Sequence, residues 1–279
     1  MIDQLRQRAR ELLETGQAAV VIGYGERAGD GRPVPLFVTQ PAETARLVFT
    51  PACVDNLARY LTRKDVQALG RPALVATPPT IKAVAVLVQE NQLAADGLVL
   101  IGVCCEAPGT AGTACALLAG ATLAELEAEV AGRLRGQELT EAALARVAAL
   151  EAQSADERWA FWEAEFARCI RCYACRQACP LCYCEQCIVE KNQPQWVPSS
   201  PHPLGNTLFH FYRAFHLAGR CVLCDACAEA CPMDIPLGLL NRKLAREVRD
   251  NFAYEAGYDH TAPPAMASYR SSDQEAFIR

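Results

Sequence analysis

Two stretches of the chain repeat one cysteine pattern that suits iron–sulfur chemistry. Residues 169–180 read CIRCYACRQACP, and residues 221–232 read CVLCDACAEACP. In each C-x-x-C-x-x-C-x-x-x-C-P run, three closely spaced thiolates can wrap one 4Fe–4S cluster while the fourth reaches a second cluster. The proline after the fourth cysteine ends the local helical turn. Two complete runs in one chain therefore predict two 4Fe–4S clusters.

The crossed arrangement gives each cluster four cysteine ligands. The predicted ligands of the first cluster are Cys169, Cys172, Cys175 and Cys231. The predicted ligands of the second cluster are Cys221, Cys224, Cys227 and Cys179. A pair of zinc sites is the alternative, but zinc needs only four ligands and gives no reason for a third C-x-x-C step. The spacing therefore favours iron–sulfur clusters.

Three further cysteines follow the first run directly. They form the C-x-C-x-x-C motif Cys182, Cys184 and Cys187. Neighbouring thiols that are neither ligated nor buried are open to oxidation, which favours a third metal centre, either an iron–sulfur cluster or zinc. The expected sources of its fourth ligand are a partner chain and Cys53, Cys104 or Cys105. Free cysteines packed beside the two clusters are the alternative.

Charged and aromatic residues flank these motifs. The arginines nearest to the cysteines in sequence are Arg168, Arg171, Arg176 and Arg220. Guanidinium groups beside an anionic cluster would stabilise its reduced form, and docking of an acidic partner is the alternative role.

Residues 208–219 predict an aromatic-rich helix. Its Phe209, Tyr212 and Phe215 are expected to form a dry wall beside a cluster. Its His210 and His216 are interpreted as packed residues, because thiolates dominate such sites.

The region before the cysteine runs alternates between strands and helices. Apolar runs predict strands at 18–24, 36–39, 73–77 and 97–103. A short helix is expected at 56–63, and a longer one begins at Pro79, after which apolar residues recur at helical spacing. Strands separated by helices predict an α/β domain with a parallel or mixed sheet.

A helical connector should join this domain to the cysteine-rich region. Capping boxes open two of its helices, one at Thr122 with Glu125 and one at Ser154 with Glu157. The Ala-rich stretch 140–150 predicts another helix between them. The predicted domains are an α/β domain at 1–150, an iron–sulfur domain at 151–250 and an extended C-terminal tail at 251–279.

Composition limits the classes of partner and compartment. A net charge of −5 over 279 residues gives no electrostatic reason to expect nucleic acid. No apolar run reaches the roughly 18 residues of a membrane span. Eleven of the 15 cysteines fall within 169–231, as expected for metal ligands in a reducing compartment. Because the N-terminus lacks the apolar stretch of a signal peptide, we expect a cytoplasmic protein.

Two segments of the N-terminal region carry a family resemblance, TPPTIKAVAVLVQENQL at 77–93 and LVLIGVCCEAPGT at 98–110. With the cysteine runs, they resemble the beta-subunit family of deazaflavin-coenzyme-reducing hydrogenases and formate dehydrogenases. The runs themselves are typical of a two-cluster bacterial ferredoxin-type domain. The resemblance implies iron–sulfur clusters and FAD in a subunit that passes electrons between a catalytic subunit and a soluble carrier.

The leading functional prediction is an electron-transfer subunit of an anaerobic oxidoreductase complex of the hydrogenase, formate dehydrogenase or heterodisulfide-reductase-like kind. It would relay single electrons between partner subunits, and no nucleophile or acid–base pair beside the cysteines suggests catalysis of its own. The Gly-rich stretch 23–33 does not match G-x-G-x-x-G. An FAD-containing subunit that reduces a two-electron carrier therefore stays an alternative, as does a redox-sensing or scaffold protein.

Overall fold

The computed structural model describes residues 1–107, 110–191 and 193–265. Within these ranges the chain divides into two compact units. The first comprises residues 1–133 and 257–261, and the second comprises the described residues of 134–256 together with 262–265. No helix among the described residues combines the length and the apolar character needed to cross a bilayer.

The first unit is built on a five-stranded mixed sheet in the order β2-β1-β3-β4-β5. Its strands are β1 (Val20–Glu26), β2 (Pro33–Val38), β3 (Pro72–Ala76), β4 (Val99–Cys105) and β5 (Cys115–Leu117). The central strands β1, β3 and β4 run parallel, whereas β2 and β5 are antiparallel edge strands. The central strands bury nearly every residue, as expected where a parallel sheet is covered on both faces. The prediction of a mixed α/β fold is confirmed.

Four helices accompany this sheet: α1 (Ile2–Glu14), α2 (Lys64–Gln67), α3 (Pro78–Gln89) and α4 (Leu123–Leu134). Two 3-10 helices, Pro41–Arg46 and Leu57–Tyr60, complete the unit, and the latter occupies part of the predicted helix at 56–63. At the start of α4, the Thr122 hydroxyl and the Glu125 carboxylate exchange hydrogen bonds with each other's backbone amides. The predicted capping box is therefore present.

Residues 257–261 join the first unit after the chain has passed through the second. Gly257, at a φ of +84°, lies so close to α3 that a Cβ there would stand 2.6 Å from the Lys82 carbonyl oxygen. Beside it, the buried Lys82 ammonium lies 4.3 Å from the centre of the Tyr258 ring. Part of the predicted extended tail is thus packed against its own chain, and residues 266–279 of that tail lie outside the described residues.

The second unit is helical within its described part. Its helices are α5 (Glu141–Glu151), α6 (Ala155–Ala167), α7 (Ala174–Ala178), α8 (Pro203–His216), α9 (Ala226–Glu229) and α10 (Leu237–Phe252). A 3-10 turn covers Ile188–Glu190. Helix α6 packs against α8, α7 against α9, and α10 against α5. The predicted capping box at Ser154 and Glu157 opens α6. This arrangement places the two cysteine runs against one another.

Candidate metal centres

The two cysteine runs fold into loops of the same backbone shape. In the first loop, Arg171 and Tyr173 adopt left-handed φ values of 57° and 58°. In the second, the matching residues Leu223 and Asp225 have φ values of 58° and 54°. Residues with side chains rarely adopt this conformation, which costs about 1–3 kcal/mol each where it persists. Its repetition at both matching positions indicates that the cysteine spacing, not the intervening side chains, determines the loop.

The turned backbone directs amide groups at sulfur atoms. The Arg171 amide donates a hydrogen bond to Cys169 Sγ over 3.4 Å. In the second loop, the Leu223 amide bonds to the Cys221 sulfur in the same way. Hydrogen bonds of this kind favour the thiolate over the thiol, which is the form that binds metal.

Short helices bring the two loops together. Helix α7 follows the first loop and α9 follows the second, and they carry the buried Cys175 and Cys227. The fourth cysteines, Cys179 and Cys231, come just after these helices end. Because α7 packs against α9, the fourth cysteine of one run can approach the loop of the other.

The thiols predicted for the first cluster are electrostatic neighbours. Burial raises the pKa of the Cys169 thiol, and the charges of Cys231 and Cys172 raise it further. Burial likewise raises the pKa of Cys175 to about 11, and the charges of Cys227, Cys169 and Cys231 add to the effect. Cys231 belongs to the second run, so the structure brings the two runs together at this set.

The thiols predicted for the second cluster are grouped in the complementary way. Burial raises the pKa of Cys221 strongly, and the charges of Cys224, Cys227 and Cys179 raise it further. The pKa of Cys227 is also raised by burial and by Cys179. Here Cys179 comes from the first run. Thiols of the two runs therefore influence one another in both sets, and the crossed ligation stays a prediction.

The surroundings of these eight thiols fit iron–sulfur chemistry. Buried thiols with raised pKa values stay protonated unless a metal supplies compensating positive charge, and binding then releases their protons. Cys175 and Cys227 belong to an apolar core, and its other buried members include Phe166, Val189, Phe209, Ile235 and Leu237. Among the described residues, no group of three or more His, Cys, Asp or Glu side chains is arranged as it would be around a metal ion. Two runs of four thiols supply the number and type of ligands that a pair of 4Fe–4S clusters requires, with Cys175 and Cys227 buried and Cys172 exposed.

Arg213 is the residue of this site that sequence reasoning missed. It projects from α8, is buried, and donates a hydrogen bond over 3.2 Å to the Cys175 carbonyl oxygen. Its guanidinium also bonds to the side chains of Cys179 and Cys227, while its Nε has no hydrogen-bond partner. One buried cation therefore serves thiols of both sets. The sequence did contain a signal for Arg213, because this cationic residue lies four positions after Phe209 and therefore on the same face of the helix.

The four arginines singled out from sequence hold the backbone around the site. Arg171 is buried and donates to the carbonyl oxygens of Gly205 and Pro198, at 2.8 and 2.9 Å. Arg168 bonds to the Asp234 carbonyl oxygen. Arg176 and Arg220 anchor the segment that follows the first run.

The aromatic helix only partly forms the predicted dry wall. Phe209 is buried, but Tyr212 and Phe215 are 42% and 65% exposed, so the prediction is wrong for these two. The reason is helical periodicity: at about 100° per residue, Phe215 lies about 120° around the helix from the buried Phe209, and Tyr212 lies about 100° from the buried Arg213. His210 is packed, as expected, and its ring stacks on that of Phe166. Burial is the main cause that lowers the pKa of His210 to about 3, and the positive charges of Arg213 and Arg171 lower it further.

The cysteines proposed for a third centre fall in different units. Cys182, Cys184 and Cys187 line one small cavity in the second unit. The suggested fourth ligands lie in the first unit, where Cys53 is buried and accepts a hydrogen bond from the Thr50 amide. Next to the free Cys104, Cys105 forms a disulfide with Cys115 across β4 and β5.

Part of the chain is similar to proteins from two organisms, Methanocaldococcus jannaschii and Methanococcus maripaludis. It is 39% identical over 106 residues to an F420-dependent formate dehydrogenase subunit beta of the former, which covers 37% of this chain and 27% of that relative. It is 34% identical over 105 residues to an F420-dependent formate dehydrogenase 1 subunit beta of the latter, covering 38% and 26%. The resemblance to the beta-subunit family is confirmed.

The match to these beta subunits is partial. The aligned part spans about a quarter of the length of the curated relatives, 27% and 26%. No family model matches the chain.

Proposed function

We propose that this chain is an iron–sulfur electron-transfer subunit of an anaerobic multi-subunit oxidoreductase, in which it relays single electrons between partner subunits. The packing of α7 against α9 carries the proposal, because it brings the two cysteine runs together and lets thiols of one run influence the pKa values of thiols in the other. The relatives are described as formate dehydrogenase beta subunits, which supports an oxidoreductase complex. Hydrogenase and heterodisulfide-reductase-like complexes are further settings for the same role.

The residues around the thiols have separable roles in such a relay. The 4Fe–4S clusters would supply two one-electron centres in proximity. Backbone amides such as that of Arg171 stabilise negative charge on sulfur. Phe166 and Phe209 exclude water, and the Arg213 guanidinium offsets the charge of both thiol sets. Hydrogen bonds, burial and net charge are the protein's means of setting cluster potentials.

Iron content tests the proposal directly. The full chain, purified without oxygen, should contain about eight irons, and dithionite should reduce them reversibly with the electron paramagnetic resonance of 4Fe–4S centres. The variant Cys231→Ser should lose one set, down to about four irons, whereas Cys104→Ser, outside both sets, should keep all eight. Zinc in place of iron, or equal iron loss in both variants, would overturn the proposal. Clusters that no oxidoreductase partner reduces would favour a sensor or scaffold.

A flavin-dependent role is the second candidate function. The relatives are described as F420-dependent, and the first unit contains an open cleft of about 730 Å³ between β4, β5 and the start of α4. Gly102 and Gly120 are among the residues that line this cleft. If FAD occupies it, the chain with its full iron content should release flavin on denaturation. A chain that holds eight irons and releases none would exclude this role.

A further inference from the structure

One disulfide stands in a chain that is otherwise rich in unpaired cysteines. It joins Cys105, the last residue of β4, to Cys115, the first residue of β5. The other 13 cysteines form no disulfide. Where most cysteines are kept reduced, the disulfides that do occur are usually catalytic or redox-sensing. This pair is therefore a candidate for reversible chemistry.

The register of the two strands allows both redox states of the pair. Cys105 and Cys115 stand directly opposite one another in the antiparallel ladder of β4 and β5. The next rung along is a hydrogen bond over 3.0 Å from the Glu106 amide to the Ala114 carbonyl oxygen. Opposing residues of such a ladder have Cβ atoms about 4.5–5.5 Å apart. A dithiol therefore fits the same register as the disulfide.

A partner thiol can reach this disulfide. Strand β5 lies at the edge of the sheet, and none of its three residues is buried. Cys105 is also partly exposed, and Glu106 and Ala114 beside it are exposed. Exchange requires that a thiolate approach one of the two sulfur atoms, so access is a condition for it. Cys105 and Cys115 meet that condition, whereas Cys53 of the same unit is buried.

The two ends of β5 are held in different ways. Just beyond β5, Leu118 is buried, and its amide donates to the Gly102 carbonyl oxygen over 2.8 Å. Packing is close there, because a Cβ on Gly102 would stand 3.0 Å from the Leu118 Cβ. The Cys115 end has no buried side chain. The disulfide is therefore the main constraint at that end.

We propose that Cys105 and Cys115 form a thiol–disulfide exchange site for a partner dithiol of the thioredoxin class. A partner thiolate attacks one sulfur of the pair and forms a mixed disulfide, and the other sulfur leaves as a thiolate. The partner's second thiol then displaces the first sulfur. The partner ends as a disulfide, and its two electrons and two protons end on Cys105 and Cys115. This reversible two-electron reaction uses no cluster and goes beyond the one-electron relay proposed above.

Cys104 provides a matched control for this site. Successive side chains of a strand point to opposite faces of the sheet, so Cys104 and Cys105 lie on different faces of β4. The charge of Cys104 acts on the Arg133 guanidinium of α4. Cys104 is free and partly exposed. It therefore shares the chain position and the exposure of Cys105, but it lacks a sulfur partner.

Differential alkylation of the full chain, purified without oxygen, tests the exchange. The chain is incubated with reduced or oxidised thioredoxin and alkylated, then unfolded, reduced and labelled with a second reagent. Mass spectrometry should find the first label on Cys105 and Cys115 after reduced thioredoxin and the second label after oxidised thioredoxin. The ratio of the labels should change at least about tenfold. Cys104→Ser should behave like the parent chain, whereas Cys115→Ser should leave Cys105 with the first label throughout.

Hydrogen exchange gives an independent readout of the same reaction. Reduction should speed exchange of the Glu106 amide at least about tenfold, because the disulfide no longer constrains that end of β5. The Leu118 amide, held by packing, should change less than about twofold. Circular dichroism identifies a variant that fails to fold, and the label ratio of the parent chain then decides.

Two results would overturn the proposal. One is a disulfide that reduced thioredoxin leaves intact until the chain is unfolded. The other is a pair that stays as thiols after treatment with oxidised thioredoxin. Iron is measured on the same samples, because normal exchange beside fewer than about eight irons would count against the electron relay alone.

Discussion

Arg213 shows how much one side chain can contribute at the residue scale. A buried cation is costly unless it is paired, and Arg213 finds its partners among the thiols of both cluster sets. Sequence reasoning looked instead to arginines next to the cysteines, and those residues chiefly hold backbone carbonyl groups in place. A charge at a distant position in sequence therefore lies closer to the sulfur chemistry than the charges beside it.

Removing this charge should lower the cluster potentials. Arg213→Gln leaves added electrons without their nearest cation, and we expect a fall on the order of 50–100 mV for at least one cluster. Arg213→Lys keeps the charge and should shift the potential much less. Redox titration followed by electron paramagnetic resonance measures both. Equal shifts in the two variants at full iron content would assign Arg213 to packing alone.

At the element scale, α6 supports the first thiol set through α8. It begins at a complete capping box, in which Ser154 and Glu157 satisfy each other's backbone amides. Its Phe166 is fully buried and stacks on His210 of α8. Asn206, also in α8, donates to the carbonyl oxygens of Phe166 and Cys169, which joins the end of α6 to the first cysteine loop.

Loss of the cap should destabilise the second unit. Ser154→Ala removes the acceptor for the Glu157 amide and should cost about 1 kcal/mol, as N-cap deletions do. The expected fall in the midpoint of thermal unfolding is about 3 °C, measured by circular dichroism without oxygen. Ser154→Asp retains a cap and serves as the control. A midpoint unchanged in Ser154→Ala would show that α6 does not limit the stability of this unit.

At the scale of the whole molecule, the first unit is completed by a segment that follows the second unit in the sequence. Residues 257–261 reach it only after the second unit is complete. Glu127 of α4 binds this segment. Its carboxylate accepts a hydrogen bond from the His260 amide over 2.9 Å and lies 2.8 Å from Nδ1 of the His260 imidazole. Gln89 of α3 adds a bond to the Asp259 carbonyl oxygen. Elements separated by more than 100 residues thus depend on each other.

This contact should depend on pH. Burial raises the pKa of Glu127 above its ordinary value of 4.5, and the bonds to His260 only partly offset the rise. A carboxyl with a raised pKa stabilises its folded surroundings fully below the unfolded value, and the stabilisation is lost as pH rises through the folded value. The measurement is the hydrogen-exchange protection of the His260 amide in the parent chain, divided by its protection in Glu127→Gln at the same pH. We expect this ratio to fall as the pH rises from 4.5.

A neighbouring carboxylate provides the control for this measurement. Glu129 lies on the same helix, is partly exposed and pairs with Arg133. Glu129→Gln should retain the pH dependence of the parent chain. A parent chain whose protection ratio is flat with pH would contradict a role for Glu127 ionisation.

Local pattern was enough to predict much of this protein. The strands β1, β3 and β4, the helix after Pro79 and the cap at Ser154 were all predicted from sequence, because apolar periodicity and capping are interactions between near neighbours. The pattern did not predict β5, which has three residues and depends on pairing with β4. It also misjudged Tyr212 and Phe215, whose exposure depends on which helix face meets the core.

By itself, the sequence determined which atoms can act as ligands, since cysteine spacing sets which thiols a short loop can present together. The tertiary structure alone decided that thiols of the two runs lie near one another, that Arg213 lies among them, and that His216 lines a cavity with three further cysteines. It also decided that 257–261 returns to the first unit. The physical reason is that burial and long-range contacts arise from the packing of elements, which no local spacing encodes.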